Sequence, residues 1–376
     1  MPGFELIGRE EKAALAALID DSGILAAHGF NDKRNGVFEV RSLEREFAAR
    51  MDIPYATAVS SGTAALKVAL KSLGVGAGDE VITQSFNFIA TVEAILDCGA
   101  TPIVTKVDGS LNMDPSDLRA RLGPRTKAII VVHMLGAVAN LTAVLAIARE
   151  HGIPVIEDAC EAPGALWEGR LVGTLADLGV FSFDMGKLMT AGEGGMIVTG
   201  NEKLHRFCME YHDHGHENNP VLPRGRDSRT IYGFNYRMTE LQACVARVQL
   251  RRLDHMLAEN WARHEALHSR LSTYGRTIFA NSRPNAEIFI LRPPTVAQRD
   301  AALAVLREMQ IGTKNLPDAI EWHCAAFWDH AVSAAEVAHS KSTQLHLESC
   351  ISIPIWLRRP VEDYELLAQR LATICG

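Results

Sequence analysis

A chain of 376 residues, 47% hydrophobic and 22% charged, has enough apolar surface for one large domain and a smaller companion, each with its own core. Its formal net charge of −7 argues against a general nucleic-acid binder, and no low-complexity tract suggests disorder. The seven cysteines are scattered, odd in number and without a CxxC pair, which is the pattern of reduced thiols in the cytoplasm.

The N-terminal stretch "MPGFELIGREEKAAL" has no basic patch followed by an apolar run, so no secretory signal is expected. Short apolar or β-rich runs follow in order: "YATAVSS" at 55, "EVITQ" at 80, "TPIVT" at 101, "AIIVVH" at 128, "PVIEDA" at 154, "LGVFSF" at 178 and "GGMIVTG" at 194. Helix-like segments such as "GTAALKVALKSLG" and "NFIATVEAILDCG" lie between most of them. This alternation predicts an α/β fold with a largely parallel sheet covered by helices on both faces, and ligands at the carboxyl ends of the strands. The apolar region 128–148 has the length of a membrane span, but His133, Gly136 and Asn140 interrupt it, so it reads as strand, loop and buried helix. Past Asn235 the pattern changes to long helices, and after about residue 275 to short strands and helices. The expected division is a large domain at 1–250 and a small C-terminal α+β domain at 251–376, with the N-terminal segment packing back on the small one.

Four stretches carry candidate chemistry. In "SSGTAAL", small residues at a strand end lead at once into an amphipathic helix. Ser61, Gly62 and Thr63 then read either as a phosphate cradle at a helix N-terminus or as a plain N-cap. In "VIEDACEAPGA", Asp158 is a carboxylate at a buried strand end, a costly placement unless it meets a cation, such as a pyridinium nitrogen, or backbone donors. In "FSFDMGKLMTAGEGGM", Lys187 sits between a strand end and a glycine-rich turn. Lysine condenses with aldehydes, and a lysine with an aspartate partner for the ring nitrogen is what a pyridoxal phosphate site requires. The fourth, "GFNYRMTELQA", reads by itself as a turn and a helix start with Thr239 as a possible cap.

Together and in this order, these four stretches resemble the DegT/DnrJ/EryC1/StrS family of pyridoxal-phosphate-dependent sugar aminotransferases. The resemblance runs over nearly the whole chain and is strongest between residues 55 and 255. It implies the fold of type I pyridoxal phosphate transferases. It also implies that Lys187 would hold the cofactor covalently, Asp158 would pair with the ring nitrogen, Phe88 would stack on the ring, and Ser182, Gly62 and Thr63 would hold the phosphate. A residue matching Asn235 reaches the phosphate from a neighbouring subunit in the family, which implies a homodimer with shared active sites. A histidine matching His133, at the strand end in "HMLG", lies near the cofactor in the family, the other reading of His133 being a core or loop histidine. Glu161 stands where the family commonly has Gln or His near the ring's phenolic oxygen, and a carboxylate there would repel a phenolate unless protonated. Asp184 and Met185 replace the more usual His-Pro. Short further matches, "MPGFELIG", "SFD" and "DHGHE", resemble a branch of the family that aminates an eight-carbon sugar acid, an octulosonate.

The implied partners are an amino-acid donor, glutamate by analogy, and a keto or aldehyde sugar acceptor in cell-surface polysaccharide or related amino-sugar synthesis. No membrane and no nucleic acid partner is expected. Both substrates being anionic, the loop "HDHGHENNPVLPRGRDSR" is the candidate for acceptor recognition through His216, Arg224, Arg226 and Arg229, the other reading being a solvated loop or a dimer contact. Its histidines lack a set ligand geometry, and no metal is assigned. "TKNLPDAIEWHCAAFWDH", from Thr313, reads as core aromatics or as a lining of the acceptor pocket. Rival readings are a dehydration on the sugar ring, which in relatives goes with histidine in place of the lysine, a regulatory protein that has lost catalysis, a nucleotide-linked 4-keto or 3-keto sugar as acceptor, and an oxidoreductase, for which no GxGxxG follows the first strand.

Overall fold

The computed structural model describes residues 3–219, 221–222 and 224–376; the side chain of Arg224, one of the recognition candidates, lies outside them. All seven runs named above become strands of one sheet: β1 (Tyr55–Val59), β2 (Glu80–Gln84), β3 (Thr101–Thr105), β4 (Thr126–Val132), β5 (Val155–Asp158), β8 (Leu178–Ser182) and β9 (Gly195–Thr199). Between β5 and β8 lie the two-residue strands β6 (Leu166–Trp167) and β7 (Arg170–Leu171), and β10 (Ser282–Arg283) pairs with β6. The order across the large sheet is β1-β9-β8-β5-β4-β2-β3. Pairs β2–β3, β2–β4, β4–β5 and β5–β8 are parallel, whereas β9 runs antiparallel to both β1 and β8.

Burial on both faces is why these strands read as near-continuous apolar runs. Along β4, Ile129 and Val131 point into the core that holds Phe47, Phe181 and Met256. Ala128, Ile130 and Val132 point into the opposite core, with Leu66, Ile95 and Ile197. The twofold period of a strand sorts them in this way. Region 128–148 resolves into β4, a loop and the helix Leu141–His151, capped by the Asn140 side chain. Among the described residues no helix is long and apolar enough to cross a membrane.

The long helix Glu240–Leu271 begins at Thr239, whose hydroxyl accepts from Gln242 N while the Gln242 side chain reaches back, a reciprocal cap. Its 32 residues span about 48 Å. Arg247 pairs with Glu39 and Glu46, and Arg252 with Glu11, on the large-sheet side. Its last turns place Leu267 and Leu271 in a separate core with β11 (Ile288–Leu291), β12 (Ile351–Pro354) and the helix Val361–Cys375. Residue 250, where the sequence suggests a division, therefore lies inside one continuous helix. The N-terminal segment does touch the C-terminal part: Glu5 accepts from Leu357 N at 2.7 Å, and the Phe4 and Trp356 rings meet edge to face.

Candidate active site

At the carboxyl ends of β1, β5 and β8 the structure opens a cavity of about 440 Å³. From β1 the chain passes through Ser61, whose side chain accepts from Ala64 N at 3.0 Å, into the helix Gly62–Ser72. The N-cap reading of this stretch is thus correct, and the same helix end lines the cavity through Ser61, Gly62 and Thr63. The first N–H groups of a helix have no partner within it and carry the positive end of its dipole. Gly62 is required by close approach, since a Cβ there would come within 2.8 Å of Ser182 Cβ. Ser182, the last residue of β8, lines the cavity beside it.

Asp158 ends β5 and faces the cavity. Its oxygens accept from Thr91 Oγ1 and from Cys160 N, both at 3.1 Å, so its orientation is fixed from two sides. Glu157, one residue earlier, points to the opposite face, where it accepts from the N–H groups of Gly173, Leu175 and Ala176.

Lys187 follows a tight turn in which Gly186 N donates to Asp184 Oδ1 at 2.8 Å and Lys187 N to Asp184 O at 3.0 Å. Its Nζ reaches the cavity and lies 3.2 Å from Glu161 Oε1. The other Glu161 oxygen accepts from Leu135 N at 2.9 Å. Burial by itself would raise the Glu161 pKa, but the charges of Lys187, Lys314 and His323, with the Leu135 N–H, outweigh it and hold the carboxyl well below its usual range. Burial likewise would lower Lys187, and the Glu161 carboxylate outweighs it, so the ammonium is held above the ordinary lysine value. The Glu161 carboxylate thus favours the charged form of Lys187.

The cavity's remaining wall comes from the C-terminal part of the chain. Phe88, 46% exposed, stands in the lining with its ring 5.5 Å from that of His323. Asn87 N donates to His323 O, and Ala325 N to Ser85 O, which latches the 313–328 segment onto the end of β2. Lys314, Asn315 and His323 thereby enter the lining. Of the aromatics in this segment, Trp328 is core and Trp322 is exposed.

Several sequence candidates are not brought to this cavity. His133 is fully buried and outside the cavity lining: Nδ1 accepts from Ala139 N and Nε2 faces Glu157 at 3.2 Å, so its ring braces the loop after β4, in keeping with the core or loop reading. His216 bonds to Asp227 at 2.9 Å, and Arg226 and Arg229 are exposed; none of the three lines the cavity of its own chain. The loop's Glu217 is held by Arg206 and Ser228, away from the site. Asn235 is also exposed, outside this chain's own cavity. Asp184, noted in the sequence for standing where His is usual, lines the cavity; Thr91, which no sequence motif singled out, lines it too, at the start of the helix Ala90–Asp97 that follows Phe88.

The fold, a mostly parallel sheet between helices, matches that of pyridoxal-phosphate-dependent aminotransferase structures. Residues 31–371 match the model of the DegT/DnrJ/EryC1/StrS aminotransferase family, and the chain belongs to that family. It is similar to the GDP-perosamine synthase of Caulobacter vibrioides, 41% identical over 216 residues, 57% of each chain. It is also similar to a pleiotropic regulatory protein of Geobacillus stearothermophilus, 34% identical over 280 residues, 73% of each. Among solved structures it resembles 3-amino-5-hydroxybenzoic acid synthase, at 32% identity and a TM-score of 0.83, over 97% of this chain and 96% of that one. The chain spans about three fifths of the length of the first curated relatives it matches. Pyridoxal phosphate is the cofactor of the family, and the residues present fit it: a cationic helix end with room made by Gly62, a lysine amine, and an oriented carboxylate share one cavity.

Proposed function

We propose that this protein transfers an amino group from an amino acid, glutamate, to the carbonyl of a keto or aldehyde sugar, with an octulosonate carrying an 8-oxo group as the acceptor. The observation that carries the reading is that Lys187, Asp158 and the Gly62 helix end meet in one cavity. When bound, pyridoxal phosphate supplies a carbonyl that takes up the amino group and a ring that holds the electrons of a broken C–H bond.

The protein's own residues do the rest. The helix end at Gly62 and Thr63, with Ser182, holds the phosphate. Asp158, steadied by Thr91, would hold the cofactor's ring nitrogen and favour its protonated form, and Phe88 would pack against the ring. Lys187 Nζ would be the base that takes a proton from the donor's α-carbon and later gives it back. Glu161 Oε1, 3.2 Å away, is placed to hold that proton on Nζ between steps. The names of relatives, among them a perosamine synthase, support an amino-sugar product, and the short matches at the N-terminus and "DHGHE" favour the octulosonate branch. The presence of Lys187 speaks against dehydration on the ring.

Two copies of the chain acting together belong to this reading. Exposed Asn235 lies outside its own cavity, and Tyr232 and Phe234 beside it are 71% and 44% exposed, an apolar surface that a second copy would cover. A cytoplasmic location belongs to it too, supported by seven cysteines that all remain thiols.

The test is the absorbance of the purified protein with added pyridoxal phosphate, before and after glutamate, beside Lys187→Ala. A yellow band that glutamate bleaches, absent in the variant, is expected. A band in the wild type that no amino donor changes would refute the transfer reading.

A further inference from the structure

We propose that Lys314 and Asn315 form a carboxylate-binding subsite in the wall of the Lys187 cavity, through which a substrate's carboxylate is recognised; the proposal rests on the aminotransferase reading. Lys314 lines the cavity with its side chain only 9% exposed. Its Nζ lies 3.5 Å from Glu287 Oε1, near enough for attraction, yet it makes no hydrogen bond among the described residues. Asn315 is 8% exposed, and its Nδ2 is also buried without an acceptor. Two adjacent residues of the lining thus each carry a buried donor atom with no hydrogen-bond acceptor among the described residues. Burying such groups unpaired is costly, and the cost is recovered when a ligand supplies the acceptors.

The backbone holds these donors in place. Lys314 N donates to Ser352 O at 3.1 Å and Leu316 N to Ser352 Oγ at 3.0 Å, which ties the segment to β12. Asn315 sits at φ 67°, a left-handed conformation that asparagine tolerates better than most residues. Glu287, fully buried, offsets the Lys314 charge without occupying its donors. Among the described residues, the lining's one basic residue besides Lys187 and Lys314 is of another kind. His323 donates Nδ1–H to Ala319 O at 2.7 Å, which leaves Nε2 as an acceptor suited to a hydroxyl. Lys187 Nζ donates to Glu161, whereas Lys314 Nζ, though near Glu287, spends no hydrogen bond among the described residues and can offer its donors to an incoming anion.

A carboxylate can come from the amino-acid donor or from a sugar-acid acceptor, and the experiment separates the two. Cofactor-loaded wild type, Lys314→Met, Lys314→Arg and Asn315→Asp are compared in two assays. The first is the glutamate dependence of bleaching; the second is calorimetric binding of 3-deoxy-D-manno-octulosonate as a non-reacting sugar acid, with D-mannose as the uncharged control. Lys314→Met is expected to weaken at least one carboxylate roughly ten- to a hundredfold, with Lys314→Arg recovering most of the loss. Weakening confined to glutamate assigns the subsite to the donor, and weakening confined to the octulosonate assigns it to the acceptor. If both constants stay within twofold of wild type while the melting temperature and cofactor band are intact, the subsite is refuted and the Lys314–Glu287 pair is structural. Should Lys314→Met not fold, Asn315→Asp decides, with a loss of about tenfold expected and no change refuting it. Failure of wild type to bleach with any donor would sink the transfer reading instead, and the calorimetric arm would still decide the subsite.

Discussion

Replacing Glu161 by glutamine should free the lysine. In the structure the Glu161 and Lys187 charges lie 3.2 Å apart, with side chains 8% and 15% exposed. At an effective dielectric constant near 20, such a pair attracts by about 5 kcal/mol, a ceiling of about four pKa units on Lys187. Lys314 and His323 share the carboxylate's field, so a drop of one to two units, roughly, is the working expectation. Only the neutral amine attacks an aldehyde, so each unit means about tenfold more reactive lysine at neutral pH. Glu161→Gln apoprotein should therefore capture pyridoxal phosphate about ten to a hundred times faster than wild type at pH 7, followed by stopped-flow absorbance. In wild type the capture rate should climb about tenfold per pH unit from 6 to 9, because the raised lysine pKa lies above that whole range. Equal capture rates for the two proteins, or a wild-type rate that levels off near pH 7, would refute the idea that Glu161 holds Lys187 charged.

The same pair sets a pH window for stability. Glu161 is depressed in the folded state, so its contribution is complete above the unfolded value of about 4.3 and is lost as pH falls below it; Lys187 is raised, so its contribution is complete below about 10.4 and is lost above. The melting-temperature gap between apo wild type and Glu161→Gln should be flat between about pH 5 and pH 10 and shrink on acidification. Adjacent carboxylates on β5 should respond oppositely. Glu157→Gln puts an amide against three backbone N–H groups and His133, and should cost about 3 kcal/mol in urea unfolding. Asp158→Asn should leave unfolding within about 1 kcal/mol, since the amide oxygen can still accept from Cys160 N or Thr91, while turnover falls at least a hundredfold, roughly. Gly62→Ala, which forces a methyl against Ser182, should weaken pyridoxal phosphate binding about tenfold or more by absorbance titration, with a smaller effect on melting.

The seven strands, the helices between them and the reciprocal cap at Thr239 were legible because they depend on local signals: apolar runs, turn residues and caps spaced by strand and helix periods. Lys187, Asp158 and the Gly62 helix start were legible for a related reason, since strand ends in a parallel sheet gather at one edge. The direction of each side chain rests on the tertiary pairing. "IED" offers two adjacent carboxylates, and only the pleat, fixed by the pairing of β5 with β4 and β8, sends Asp158 to the cavity and Glu157 away from it. His133 had both a cofactor-side and a core reading, and the loop after β4 turns its ring to hold Ala139 N, fully buried. The arginine-rich loop carried the expected charge, but a single chain does not bring its described residues to the cavity. Lys314, Asn315 and His323 reach Lys187 across more than 120 positions of sequence because backbone bonds from Asn87 to His323 and from Ala325 to Ser85 fasten the late segment to β2. Chain-local patterning determined which elements form and which edge holds the chemistry. Long-range packing alone decided which charges face one another there, because a side chain's partner is set by where distant backbone comes to rest.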